Sequence, residues 1–191
     1  MLPSRTLNGH LEGASCLELS ADQTRLYSGG LDKTVRIWDL VASKELHRFS
    51  HSSQVFALGV STDDHFVVAG YVFLLSPRDE PDSSDRTNSL SVCSRLESSD
   101  IEHITLKEPS FPRQTVRRHS NCVLSVKFAP SKKWFLSTGK DGLVVGWKNP
   151  TCAPLFEEKE GASILCTEIS ACGNYVVTGS GDCRATLYST I

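Results

Sequence analysis

The chain has 191 residues, of which 39% are hydrophobic and 22% charged, with a formal net charge of −2. That length can bury one domain-sized core. Lys and Arg are scattered, and their densest group is Arg113, Arg117 and Arg118, which excludes a phosphate-tracking basic stripe. Neither direct nucleic-acid binding nor a membrane surface is expected. The first dozen residues carry no apolar stretch of the kind a signal peptide needs, and the longest apolar run, 66–75, is about half a membrane span. Seven cysteines, an odd number without a CxxC pair, read as reduced thiols of a cytosolic or nuclear protein.

In chain order, ASCLELS (14–20), TRLYSG (24–29) and TVRIWDL (34–40) read as strands from their alternation and β-branched content. VFALGVS (55–61) and HFVVAG (65–70) begin a second set; CVLSVKFA (122–129), KWFLSTG (133–139) and LVVGWK (143–148) form a third; 176–190 closes a fourth. Turn residues separate them at Ala21-Asp22-Gln23, Pro130-Ser131-Lys132 and Cys172-Gly173-Asn174. No window has helical amphipathicity.

The sets repeat. His10, Ser28, Asp32 and Trp38 recur at the same spacing as His119, Ser137, Asp141 and Trp147, and in altered form as Glu160, Thr178, Asp182 and Tyr188. His10 to His51 and His119 to Glu160 are steps of 41, whereas His51 to His119 is 68, or 41 plus 27. Removing 71–97 brings Asp100 into the place of Asp32, and IEHITL (101–106) into the place of the strand that follows it. Residues 71–97, rich in Ser, Asp and Arg, therefore read as an insertion that builds no core. The repeats are 1–41, 42–109 with that insertion, 110–150 and 151–191. A period near 41 with four short strands marks a WD-repeat β-propeller, here about four blades of an all-β partial ring.

A Ser-His-Asp set invites a hydrolase reading, but a catalytic site occurs once and this set recurs in each blade. It reads as a buried hydrogen-bond chain that pins the turns of one blade. No catalytic residue, metal ligand set or cofactor loop is expected, since HExxH, paired CxxC and GxxxxGK[ST] do not occur. Arg117-Arg118-His119-Ser120 has the form favoured by basic-directed kinases, with Ser120 as the acceptor and access limited by the burial expected for His119.

EGASC (12–16), GLDKTVRIWDL (30–40), QVFALG (54–59), CVLSVKFAPSKKWFLSTGKD (122–141) and VVTGSGDCRATLYSTI (176–191) together resemble the propeller of the Groucho/transducin-like enhancer corepressors. The resemblance covers nearly all of the chain outside 71–97 and marks a divergent member. It implies a seven-bladed ring, about 287 residues at this period, of which the chain supplies four blades. It also implies nuclear or cytoplasmic action without enzymatic activity, and docking of short aromatic peptides from DNA-binding repressors at the mouth of the central channel. The matching positions are Phe56, Leu124 and Leu165, with Ser15 at the same place in the first repeat and Ser137 nearby. Two alternatives stand beside this expectation: a paralogue that scaffolds a maternal cytoplasmic complex in oocytes and early embryos, and a truncated form that competes with full-length relatives.

Overall fold

The computed structural model describes residues 5–51, 53–64, 66–71, 88–94 and 113–190. Those residues form strands and no helix. The first sheet holds β1 (Ala14–Leu19), β2 (Arg25–Gly30), β3 (Thr34–Asp39) and β4 (Lys44–Ser50). The second holds β5 (Val55–Val60), β6 (Phe66–Tyr71), β7 (Asn88–Ser94) and β8 (Arg113–His119). The third holds β9 (Val123–Phe128), β10 (Trp134–Gly139), β11 (Leu143–Lys148) and β12 (Pro154–Lys159), and the fourth β13 (Ile164–Ile169), β14 (Tyr175–Ser180) and β15 (Ala185–Ser189). Each sheet is an antiparallel meander in chain order, and the fourth has three strands among the described residues.

The sheets are blades. Their first strands, β1, β5, β9 and β13, lie next to one another in that order. The apolar cores lie between blades. Tyr27, Val35 and Ile37 of the first blade pack on Leu58 and Val67 of the second. Ala57 and Val68 of the second pack on Val126, Phe135 and Trp147 of the third. Leu136 and Val144 of the third pack on Ile169 and Val176 of the fourth. Successive side chains of a strand point to opposite faces, and a blade covered on both faces buries both sets, so the middle strands read as continuous buried runs while the turns stay polar.

The turns are as regular as the strands. Gln23, Asp64, Lys132 and Gly173 hold one repeat position and share a left-handed backbone, with φ of 59°, 56°, 62° and 75°. Only the fourth blade uses glycine, the residue that takes this conformation without steric cost.

The second blade departs from the register arithmetic. Its third strand is β7, Asn88–Ser94, paired to β6 on one side and β8 on the other. The stretch read as a core-free insertion, 71–97, thus supplies a central strand, and its first residue, Tyr71, ends β6. The segment 101–106 assigned to that strand lies outside the described residues. Both SLSV (89–92) and IEHITL carry alternating apolar residues. Counting back from His119 separates them only if there is a single insertion, whereas sheet closure selects the segment that pairs with both neighbours.

Candidate functional site: the channel mouth

Two of the repeated polar sets form the chain expected of them. In the third blade Trp147 Nε1 donates to Ser137 Oγ at 2.8 Å, Ser137 lies 2.8 Å from His119 Nε2, and His119 Nδ1 lies 3.1 Å from Asp141. In the first blade Trp38 Nε1 donates to Ser28 at 2.8 Å, Ser28 lies 2.6 Å from His10 Nε2, and His10 Nδ1 lies 3.0 Å from Asp32. A proton on Nδ1 satisfies every group: indole to hydroxyl, hydroxyl to imidazole, imidazole to carboxylate. Burial pushes the Asp141 carboxyl up, but the bond from His119 and the backbone N–H groups of Leu143 and Ser120 outweigh it and hold the carboxyl below its ordinary value. Burial acts on Asp32 in the same sense and is overcome by the Leu11 N–H, the Thr34 hydroxyl and His10.

The fourth blade solves the problem differently. Thr178 Oγ1 and Tyr188 Oη both donate to one oxygen of Glu160, at 2.6 and 2.7 Å. Burial, followed by this bond to a carboxylate, pushes the Tyr188 phenol up to about 12. Asp182 does not join the set. It is exposed and accepts from Ser180 at 2.5 Å, with Arg184 3.5 Å away. Where a histidine can donate to the aspartate, Glu160 offers only a second negative charge, so the two carboxylates take separate partners.

Ser15, Phe56, Leu124 and Leu165 are the second residues of β1, β5, β9 and β13; in the first and third blades that end of the strand lies beside the turn that carries Asp32 or Asp141. Each sits in a β-bulge. Pairing skips from Ala14 to Cys16, from Val55 to Ala57, from Val123 to Ser125, and from Ile164 to Cys166. A bulge inserts an unpaired residue and re-aims its side chain, so these four leave the ladder at one level of the inner strands. Phe56 and Leu124 are half-buried, while Leu165 is exposed.

Ser15 is exposed, but its hydroxyl lies 3.0 Å from the Gly29 carbonyl and bonds the Val55 carbonyl, tying the first blade to the second. Gly29 beneath it is required by close approach: a Cβ there would lie 2.6 Å from Cys16 Sγ and 2.7 Å from Val55 Cγ1. Burial pushes the neighbouring Cys16 thiol up to about 11, so it stays protonated. Ser137, also expected near the mouth, is wholly buried with its hydroxyl between Trp147 and His119, and has no surface to offer a ligand. Ser120 is exposed even though His119 beside it is buried, and its backbone N–H donates to Asp141 at 2.7 Å.

The sequence reading missed one charged group on the inner strands. Glu18, Gly59, Lys127 and Glu168 share a repeat position, with steps of 41, 68 and 41. Lys127 Nζ lies 3.3 Å from Glu18 of the first blade and 3.6 Å from Glu168 of the fourth. Lys127 reaches the first blade over Gly59, which has no side chain to stand in the way. The spacing was visible, but the pairing needs the curvature that brings non-adjacent blades within reach.

The comparisons agree with this geometry. The WD domain, G-beta repeat family matches residues 1–39, 110–148 and 151–189. Over 187 residues, 98% of the chain, it is 38% identical to transducin-like enhancer protein 2 of Mus musculus and 37% identical to protein groucho of Drosophila melanogaster. The chain spans about a fifth of the length of these relatives, 21% and 22%. It belongs to the WD domain, G-beta repeat family.

Proposed function

We propose that this chain is a non-enzymatic docking module of a transcriptional corepressor, which takes short aromatic peptides of DNA-binding repressors at the channel mouth and acts in the nucleus. The observation that carries the reading is the shared bulge. Phe56, Leu124 and Leu165 leave their ladders at one level, where an apolar ring can receive an apolar peptide anchor. The lysine and two glutamates at Lys127, Glu18 and Glu168 supply polar groups on the same inner strands to orient a peptide.

The test is fluorescence anisotropy with a short labelled peptide carrying a Trp or Phe anchor, against the wild-type chain, Phe56→Ala and Leu124→Ala, each checked for fold by circular dichroism. Micromolar binding that is lost in both variants supports the reading. Absence of binding by a folded wild type overturns it.

A further inference from the structure

The outer strand of the second blade ends unlike its counterparts. β8 closes on Arg117, Arg118 and His119, and Ser120 follows. The aligned residues are Phe49, Ser50, His51 and Ser52 after the first blade, and Glu158, Lys159, Glu160 and Gly161 after the third. The third place holds the His or Glu of the repeated polar set each time, so the blade requires it. The pair of arginines before it occurs in neither counterpart, so the fold does not require them.

Burial divides the segment in the same way. His119 is wholly buried, while Arg117, Arg118 and Ser120 are exposed. β8 is the outermost strand of its sheet and pairs with β7 alone among the described residues. Its pairing skips from Arg117 to His119, so Arg118 stands in a bulge, out of the ladder. The segment is therefore an extended chain at the rim, with the blade on one side of it. A basic-directed serine kinase grips an extended chain by two guanidinium groups and one hydroxyl, and leaves the residue between them unspecified. Here the gripped groups are the exposed ones, and the unspecified residue is the one that the blade holds.

We propose that Ser120 is a phosphoacceptor for a basic-directed protein kinase, modified in the folded chain, and that phosphate there loosens the tie to Asp141. Ser120 Oγ attacks the terminal phosphorus of ATP. The Oγ–P bond forms as the bond to the departing ADP breaks, and the hydroxyl proton passes to the base of the kinase. The product carries about −1.5 to −2 charges at neutral pH, where serine carries none. The Ser120 N–H donates to the Asp141 carboxylate at 2.7 Å, and the same carboxylate holds His119 Nδ1 at 3.1 Å. That carboxylate is almost wholly buried, whereas Arg117 and Arg118 stand in water, so repulsion from Asp141 is screened less than attraction to the arginines. The turn that carries Asp141 also joins two blades. Lys159 Nζ donates to the Asp141 carbonyl, and the Ser163 hydroxyl, just before β13, donates to the Lys140 carbonyl at 2.8 Å. A change at this turn therefore reaches the fourth blade.

The test treats the 191-residue chain with ATP and the catalytic subunit of a cyclic-AMP-dependent protein kinase. Peptide mass spectrometry is expected to place phosphate on Ser120, and Ser120→Ala to lack it at that position. Arg117→Ala and Arg118→Ala, each with the circular dichroism spectrum of the wild type, are expected to slow the reaction by about tenfold or more, the loss of one hydrogen-bonded charge contact. A synthetic peptide of residues 113–124 separates presentation by the fold from the motif alone, and the folded chain is expected to react as readily as the peptide. The phosphorylated chain is expected to unfold at lower urea than the unmodified one. Phosphate gained by the peptide but not by the folded chain overturns the proposal. So does a reaction indifferent to both arginine variants, or a urea midpoint that phosphate leaves unchanged or raises.

Discussion

The indole N–H of Trp147 donates to Ser137 Oγ at 2.8 Å, and both side chains are buried. Ser137→Ala would strand the Trp147 donor and His119 Nε2 together in a closed site. The expected loss is about 1–3 kcal/mol in urea unfolding. Ser137→Ala combined with Trp147→Phe should cost less than the sum of the two single changes, since the second removes a donor the first has already orphaned. Additive losses would refute the linked chain.

Acid should weaken the fold through the same group. The Asp141 carboxyl is held below its ordinary value of 3.8 in the folded chain, so above that value the unfolded state gains no proton advantage and the stabilisation is complete. As pH falls below about 4 the unfolded carboxyl protonates first and stability is lost. The urea midpoint should therefore drop between pH 5 and 3, and Asp141→Asn should flatten that dependence. At the alkaline end the sign reverses. Tyr27 and Tyr188 are pushed up to about 12, so the unfolded state loses protons first and stability falls as pH rises beyond about 10. A midpoint that does not change across both ranges would contradict these assignments.

Gln23 and Lys132 take the left-handed backbone that Gly173 takes at the same repeat position. Gln23→Gly and Lys132→Gly should each raise stability by about 0.5–1 kcal/mol, the relief of the side-chain clash exceeding the added freedom of the unfolded chain. Gly173→Ala should lower it by a similar amount. The nearest atom to a Cβ there is Pro130 Cδ at 3.8 Å, so crowding plays no part. Thermal unfolding of the three variants checks all three signs.

Ser120 is exposed beside Arg117 and Arg118, which suits a basic-directed kinase, and mass spectrometry after such a reaction should find phosphate on it. Its N–H is bound to the Asp141 carboxylate, so the added charge faces an anion. Ser120→Glu should lower stability, by no more than about 1 kcal/mol because the side chain is outside the core.

The sequence by itself determined the blade period, the strands of the first and third repeats, and the polar chains of His10 and His119. These features are local or fixed by spacing, and a buried polar group must find its partner in every copy of the repeat. Tertiary structure decided the rest. Sheet closure chose β7 from 88–94, because a strand must pair on both sides and register counting tests neither side. Electrostatics moved Asp182 out of the fourth set, because Glu160 cannot donate to it. The bulges that bring Phe56, Leu124 and Leu165 out of their ladders, and the reach of Lys127 over Gly59 to Glu18, depend on how blades stack around a channel. Repeat position determines which face a side chain takes, and the packing of the following blade against that face buries it, as at Tyr27, Val68 and Leu136.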